Sequence, residues 1–296
     1  MTIPKGKLIA IGGNEDKGTY PNPKSRKKYY LDFFELGILK RIVTELHVTN
    51  PRIEVITSAS MIPEEVGERY TGAFSILSCV NIGLMHIRSR EDAANPDYLK
   101  RLQETDGILF TGGDQSRLAD FFANSSFLEC CLHRYQTEPN FVIAGTSAGA
   151  MAMSEIMIKG GSSTEALMKG AVKLGTGLGL VQNVIIDSHF VKRGRFGRLI
   201  EAVGTHPRAI GIGLGEDTGV LITNGNQIET IGSNLVIIID GHHINHNNTK
   251  EVKKGMALSI ENITMHVLAK GNVYDIAERT FYRDLETHHN REETAY

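Results

Sequence analysis

The first two thirds of the chain alternate short, continuous apolar runs with amphipathic helical patterns. The apolar runs are rich in β-branched residues, which is typical of strands covered on both faces. They predict strands over residues 7–13, 52–60, 81–87, 107–113, 141–145 and 183–190. The patterns between them predict helices over residues 29–47, 63–78, 96–104, 115–136 and 147–157. This alternation predicts an α/β protein, a three-layer α/β/α sandwich around a mostly parallel sheet.

The pattern changes after about residue 208. Residues 209–282 consist of short β-rich runs broken by Asn-Gly, Gly-Ser and Lys-Gly turns, and they predict an antiparallel β extension. No linker-like stretch separates this region from residues 1–208, so we expect a single domain over residues 1–296. The polar residues 283–296 are expected to form a tail that frays.

Composition and charge exclude several classes of protein. The 296 residues carry a formal net charge of −2, so no basic field favours nucleic acid or an anionic membrane. No apolar run reaches the roughly 18 residues of a membrane helix, and the N-terminal run is too short for a signal peptide. The three cysteines form neither a disulfide framework nor a C-x-x-C metal pair. We therefore expect a soluble, cytoplasmic protein.

Residues 142–153, VIAGTSAGAMAM, run from an apolar strand pattern through a Gly-x-Ser-x-Gly turn into a helical pattern. Such a turn lets a strained serine project from the sheet edge, so Ser147 is a candidate nucleophile. The helix N-terminus behind it presents free backbone N–H groups. The amides of Ala148 and Gly113 are therefore candidate donors of an oxyanion hole. The alternative is a tight strand-to-helix turn capped by threonine or serine.

Glycine and polar residues end four of the predicted strands, in the segments GGNED, TGGDQ, GTSAG and DSHF. In open parallel sheets, ligands bind beyond the carboxyl ends of the strands. The shared position of these segments favours a functional site at that edge of the sheet, and with it the nucleophile interpretation of Ser147.

A nucleophilic serine needs a base, and the base needs a group that orients it. His189 is the candidate base because it ends a predicted strand and precedes a helix with arginines close by. Glu216 ends an apolar, glycine-rich run and is well placed to be a semi-buried carboxylate; the alternative is a turn residue before a hairpin. The candidate acids are Glu155, Glu165, Asp187, Glu216 and Asp217.

Arg193, Arg195 and Arg198 follow His189 closely. Arg195 and Arg198 are three positions apart and share one face of the predicted helix. Two interpretations stay open: a solvated charged face, or a bidentate clamp for substrate carboxylates. Gln115, which follows the turn at TGGDQ, is placed to point its amide into the cleft.

Five segments in this order resemble the cyanophycinases: IGGNEDK, GGDQSRL, GTSAGAMAM, DSHFVKRGRFGRL and GIGLGEDT. That family consists of serine peptidases that cleave the storage polymer cyanophycin and whose fold is similar to class I glutamine amidotransferases. The resemblance implies that Ser147 is the nucleophile, His189 the base and Glu216 the orienting acid. It also implies that the substrate pocket is lined by Gln115, Asp187, Arg193, Arg195 and Arg198.

The position of the acid separates this pattern from the related aspartyl dipeptidases, which carry an aspartate between the serine and the histidine. The segment KGGSSTEALMKG has no aspartate, so the order Ser–His–Glu fits the cyanophycinases better. One departure concerns Ser188, a further substrate-binding candidate, since the best-known members have glutamine there. This departure leaves the three catalytic candidates intact and bears on substrate contacts.

The resemblance implies an exopeptidase that hydrolyses cyanophycin to β-aspartyl-arginine dipeptides. It implies no cofactor and no metal, and it implies a homodimer. An alternative of the same class is a dipeptidase for aspartyl or isoaspartyl peptides. An alternative of a different class is an amidotransferase-like fold that binds a ligand without turnover.

Overall fold

A computed structural model describes residues 3–18 and 34–286. The strands are β1 (Lys7–Ile11), β2 (Ile53–Ile56), β3 (Ile82–Met85), β4 (Gly107–Phe110), β5 (Val142–Thr146), β6 (Ile156–Gly161), β7 (Val172–Thr176), β8 (Val184–Asp187), β9 (Ile210–Leu214), β10 (Thr218–Thr223), β11 (Gln227–Gly232), β12 (Val236–Asp240), β13 (His246–Asn247), β14 (Ile260–Glu261), β15 (Thr264–Leu268), β16 (Val273–Asp275) and β17 (Thr280–Tyr282). The α-helices are α1 (Ile38–Glu45), α2 (Pro63–Ile76), α3 (Pro96–Glu104), α4 (Gln115–Phe122), α5 (Ser126–Thr137), α6 (Ala148–Ala152) and α7 (Phe196–Thr205).

The largest sheet has the strand order β17-β16-β11-β10-β1-β5-β4-β2-β3. The five strands from β1 to β3 in this order run parallel. The other four add to the β1 edge in antiparallel pairs. The predicted α/β class with a large, mostly parallel sheet is confirmed.

Alternate residues of the buried strands face two separate hydrophobic clusters. Ile9 and Ile11 face the cluster that contains the apolar residues of α1 and α2. Leu8 and Ala10 face a cluster that contains apolar residues of α4, α5 and α6. A strand with apolar side chains on both faces needs cover on both sides, which is the physical basis of the three layers.

A second sheet has the order β15-β12-β9-β8, with β8 and β9 parallel. Its inner face shares one hydrophobic cluster with the largest sheet, and α7 covers the outer face. The sequence analysis places the strand at 183–190 in the one parallel sheet; β8 instead pairs with β9. The strands of residues 209–282 are likewise divided between the two sheets, apart from the separate pair β13–β14, so the change of pattern near residue 208 is not a boundary between sheets.

Three predicted helices differ from the observed ones. Among its described residues, the helix predicted over 29–47 is helical only over Ile38–Glu45. The pattern over 115–136 splits into α4 and α5 because Asn124 has a left-handed backbone (φ 56°) and the side chain of Ser125 caps α5. The pattern over 147–157 ends at Ala152, and β6 begins four residues later and pairs with β7. Residues 29–33 of the first predicted helix and residues 287–296 of the predicted tail lie outside the described residues.

Across the described parts of the chain, every helix is too short or too polar to cross a membrane.

Candidate active site

The loop after β1 fixes the backbone of two other segments. The amide of Ser147, which directly follows β5, donates to the carbonyl oxygen of Ile11 at 2.8 Å. The amide of His189, two residues beyond β8, donates to the carbonyl oxygen of Gly12 at 2.9 Å. β1 and β5 belong to the largest sheet and β8 belongs to the second one, so the two sheets meet at this loop. Two consecutive carbonyl groups therefore set the positions of the Ser147 and His189 backbones.

Ser147 has a strained backbone conformation, with φ 51° and ψ −108°. Residues other than glycine rarely adopt such angles, and they persist where the surrounding structure enforces them. The helix α6 begins at the next residue and packs closely on β4. A Cβ on Gly149 would lie 2.2 Å from the carbonyl oxygen of Phe110. The small residues of the motif therefore let α6 start directly against the sheet behind the serine.

The side chains of Ser147, His189 and Glu216 form a hydrogen-bonded chain. The hydroxyl oxygen of Ser147 lies 3.0 Å from Nε2 of His189. Nδ1 of the same ring lies 2.9 Å from Oε1 of Glu216. Strands β8 and β9 are parallel neighbours, with Asp187 opposite Gly213. His189 lies two residues beyond the end of β8, and Glu216 lies two residues beyond the end of β9. This register brings the imidazole and the carboxylate side by side.

The other carboxylates that the sequence offers as orienting acids lie elsewhere. Asp217 is next to Glu216, but its carboxylate accepts hydrogen bonds from the Asp16 amide at 3.0 Å and the Ser233 hydroxyl at 2.6 Å. Glu155 and Glu165 are exposed. Of the five candidate acids, Glu216 is the one in hydrogen-bond contact with His189.

Burial lowers the pKa of His189 below its ordinary value of 6.5, and the positive charges of Arg193 and Arg195 lower it further. The hydrogen bond that His189 donates to Glu216 raises this pKa but does not outweigh burial and the two arginines. The ring is therefore neutral near pH 7. A neutral ring whose Nδ1–H donates to a carboxylate has its lone pair on Nε2, which is the atom that faces Ser147. That tautomer can accept the proton of the hydroxyl.

Two side chains that the sequence analysis did not single out hold Glu216. Nδ2 of Asn14 donates to Oε1 at 2.6 Å, and Nζ of Lys192 donates to Oε2 at 2.8 Å. Burial raises the pKa of Glu216, but the hydrogen bonds from Lys192, His189 and Asn14 outweigh it and hold the pKa below its ordinary value. Asn14 could have been identified as a site residue from its place in GGNED, the segment that ends β1. No pattern in the sequence identifies Lys192 as a site residue.

A buried carboxylate also lies behind the nucleophile. Oε2 of Glu15 accepts the hydroxyl of Thr146 at 2.8 Å, and Oε1 accepts Nζ of Lys17 at 3.0 Å and the hydroxyl of Tyr70. Burial raises the pKa of Glu15, but the charge of Lys17 and the hydrogen bonds from Tyr70 and Thr146 outweigh it and keep the pKa lowered. Glu15 thus anchors the side chain of the residue that precedes Ser147.

Asp187 and two of the arginines form a cluster of ion pairs. The Asp187 side chain is 0% exposed and accepts Nε and Nη2 of Arg198 at 2.8 and 2.5 Å and Nη1 of Arg195 at 3.0 Å. The sequence analysis places these three side chains in a substrate pocket, with the arginines as a clamp for substrate carboxylates. In the structure they pair with one another, because charged groups that lose water need a partner inside the protein, and their contacts with substrate stay predictions.

The other predicted pocket residues separate into buried and exposed ones. Ser188 is buried, and its hydroxyl lies 3.3 Å from the sulfur of Met151, so it faces the interior. The side-chain nitrogen of Gln115 donates to two carbonyl groups of β6 at 2.9 and 3.0 Å, so the protein itself engages it. Arg193 is exposed and lies four residues beyond His189, whose carbonyl oxygen accepts its amide at 3.0 Å.

Backbone from two segments lies beside the Ser147 hydroxyl. Ala148 is the first residue of α6, so its amide has no acceptor within the helix. A Cβ on Gly112 would lie 3.5 Å from Cβ of Ser147, which places the turn after β4 next to the nucleophile. Gly113 follows with φ 145° and packs against the carbonyl group of Ala59. The oxyanion-hole roles of Ala148 and Gly113 stay predictions.

A hydroxyl bonded to an imidazole whose other nitrogen is bonded to a carboxylate is the arrangement of an activated nucleophile for acyl transfer. In residues 3–18 and 34–286, no three His, Cys, Asp or Glu side chains come together in a group that could hold a metal ion.

Comparisons with known proteins identify a peptidase family. The sequence profile of peptidase family S51 matches residues 34–231. A cyanophycinase of Trichormus variabilis is 33% identical over 276 residues, which cover 93% of this chain and 87% of that protein. A cyanophycinase of Geminocystis herdmanii is 35% identical over 271 residues, 92% of this chain and 94% of that protein.

A solved structure of a peptidase from an acI-B1 actinobacterium has a similar fold. It superimposes with a TM-score of 0.62 at 20% identity and covers 93% of this chain and 97% of its own. At this identity the likeness concerns the fold alone.

Proposed function

The chain belongs to peptidase family S51, and from this premise we propose that it hydrolyses cyanophycin through Ser147, His189 and Glu216. The observation that carries the proposal is the unbroken chain of contacts between the three side chains, at 3.0 and 2.9 Å. Relatives named cyanophycinase match more than nine tenths of the chain, which supports the choice of substrate.

In the proposed reaction, the Ser147 oxygen attacks a backbone carbonyl carbon of the polymer while Nε2 of His189 takes the hydroxyl proton. Glu216 stabilises the imidazolium that forms. The amides of Ala148 and Gly113 donate to the oxyanion. His189 then gives its proton to the leaving amine, which departs and leaves an acyl-serine. Water, deprotonated by His189, hydrolyses this ester and regenerates the hydroxyl.

The proposal also covers the reaction product, the cellular location and the oligomeric state of the protein. We expect an exopeptidase that releases β-aspartyl-arginine dipeptides from a chain end, and a cytoplasmic homodimer. Among the predicted pocket residues, the exposed Arg193 is the one best placed to meet a substrate carboxylate, since Asp187 and Arg198 are buried together.

The test is to incubate the purified protein with cyanophycin and, separately, with short aspartyl and isoaspartyl peptides, and to identify the products by mass spectrometry. Release of β-aspartyl-arginine from cyanophycin supports the proposal. Cleavage of the short peptides alone would reassign the chain as an aspartyl dipeptidase. Binding of cyanophycin without any product would indicate a binding module.

A further inference from the structure

The carboxylate of Glu216 lies near the surface of the protein, with 20% of its side chain exposed. Both of its oxygens nevertheless have protein partners. Oε1 accepts Nδ1 of His189 at 2.9 Å and Nδ2 of Asn14 at 2.6 Å, and Oε2 accepts Nζ of Lys192 at 2.8 Å. Three donors, one from the loop after β1 and two from the loop between β8 and α7, therefore converge on one partly exposed carboxylate.

An accessible carboxylate without fixed partners rotates and is solvated by water, so it orients an imidazole poorly. Neighbours that hydrogen-bond such a group fix its orientation, and positioning within about half an ångström requires a supporting shell of this kind. Asn14 shares the oxygen that His189 uses, so its hydrogen bond sets the direction in which that oxygen points.

The loop after β1 is hydrogen-bonded to the segment that carries Glu216. The carbonyl oxygen of the preceding Gly13 accepts the amide of Asp217, the residue after Glu216, at 2.9 Å. Asn14 has φ 51°, a left-handed conformation that asparagine tolerates better than most residues. The same short segment thus fixes the backbone beside Glu216 and donates to its side chain.

Asn14 and Lys192 are both exposed, and Lys192 differs in carrying a charge. Its side chain is 66% exposed, so salt screens its attraction to Glu216, and exposed pairs of this kind contribute little. The amide of Asn14 carries no net charge, so its hydrogen bond to Glu216 depends less on screening by salt than the Lys192 ion pair does.

We propose that Asn14 is a positioning residue of the active site, one that acts on the reaction by holding Oε1 of Glu216 in line with Nδ1 of His189. The inference rests on the proposed function, in which Glu216 is the orienting acid. Lys192 contributes to the same carboxylate from the solvent side.

The experiment compares Asn14→Gly and Asn14→Asp with Asn224→Gly. Glycine keeps the left-handed backbone and removes the donor, and aspartate keeps the shape and replaces the donor by an acceptor. Asn224 is the matched control because it is an exposed asparagine with φ 54° in the turn between β10 and β11. We expect both Asn14 variants to lower kcat on cyanophycin about 10- to 100-fold with KM unchanged, the range typical for loss of an outer-shell partner.

A second readout does not depend on the substrate. In the parent protein and Asn224→Gly, we expect a downfield proton NMR resonance from the Nδ1–H of His189 bonded to Glu216. We expect it to be weakened or lost in both Asn14 variants while the melting temperature stays unchanged. If the parent protein cleaves no cyanophycin, the proposed function fails, and the resonance alone then decides the role of Asn14.

Retention of the resonance in Asn14→Gly and Asn14→Asp would overturn the inference. Parent-like kcat in both variants would also overturn it, as would an equal loss in Asn224→Gly. If one Asn14 variant fails to fold, the kcat and the Nδ1–H resonance of the other variant test the inference.

Discussion

The hydroxyl oxygen of Ser147 lies 3.0 Å from Nε2 of His189, and both residues have left-handed backbones, with φ 51° and φ 48°. Their amides donate to the carbonyl groups of Ile11 and Gly12, which are consecutive in the loop after β1. Non-glycine residues with such angles cost about 1–3 kcal/mol where the region is sparsely populated. The loop therefore holds two strained residues in the one geometry that brings their side chains together.

The strain at Ser147 predicts a difference between two inactive variants. Ser147→Gly relieves the backbone, whereas Ser147→Ala keeps it strained, so we expect the glycine variant to have a free energy of unfolding about 1 kcal/mol higher. Chemical denaturation of the two proteins measures this difference. A glycine variant less stable than the alanine variant would contradict the assigned strain.

Gly13 predicts a steric effect on the base. A Cβ at this position would lie 2.6 Å from both Cε1 and Nε2 of His189, so Gly13→Ala has to displace the ring. A misplacement of about 1 Å can lower a rate about 100-fold, and we expect a loss of kcat of that order. Steady-state kinetics on cyanophycin measure it.

Gly255→Ala is the control for the Gly13 variant. Gly255 also has a positive φ, 84°, but a Cβ there meets nothing within 4 Å, so the control has comparable backbone strain without the clash. We expect its kcat to match the parent protein. Equal losses in the two variants would show that the backbone, and not the contact with His189, is responsible.

The lowered pKa of His189 predicts the acidic limb of the pH profile. Only the neutral ring accepts the Ser147 proton, so kcat/KM falls as the pH drops through this pKa, and the fall lies below the ordinary value of 6.5. Burial is the largest cause and the positive charge of Arg193 is another. Arg193→Gln removes that charge, so we expect the limb to move to higher pH. A limb that stays in place or moves to lower pH would contradict this assignment.

The buried pair of Asp187 and Arg198 predicts an effect on stability. Arg198→Met leaves the Asp187 carboxylate buried with only Arg195 as an ionic partner. Removing one partner of a buried pair typically costs about 3–5 kcal/mol, and we expect the lower end because Arg195 remains. Arg193→Met, at an exposed position, should leave the melting temperature unchanged. A large increase in KM with unchanged stability in Arg198→Met would return Arg198 to the substrate pocket.

The sequence predicted the α/β class well because the strands that build the parallel half of the sheet are buried on both faces and carry continuous apolar runs. It could not predict that β8 belongs to the second sheet, because the apolar pattern of VIID is the same as that of the buried strands in the largest sheet. Pairing with β9 depends on contacts across the intervening residues 188–209 rather than on local pattern. The break at Asn124 was missed because the apolar spacing continues across it.

The side chains that meet at the site were found because they follow strand ends, where topology brings distant segments together. Asn14 and Lys192 were missed, since a single amide or lysine has no pattern that marks its partner. The pairing of Asp187 with Arg198 could not be predicted for a related reason. The charge and spacing of arginines in a sequence do not distinguish a guanidinium that binds substrate from one that pairs with a buried carboxylate of the same protein.

The most direct test of the account is the activity of Ser147→Ala on cyanophycin. The variant keeps the backbone and removes the oxygen that lies 3.0 Å from His189. Loss of a nucleophile in a serine peptidase lowers kcat by several powers of ten, so we expect kcat to fall at least about 10⁴-fold while circular dichroism and the melting temperature show an intact fold. Turnover within tenfold of the parent protein would contradict the assignment of Ser147 as the nucleophile.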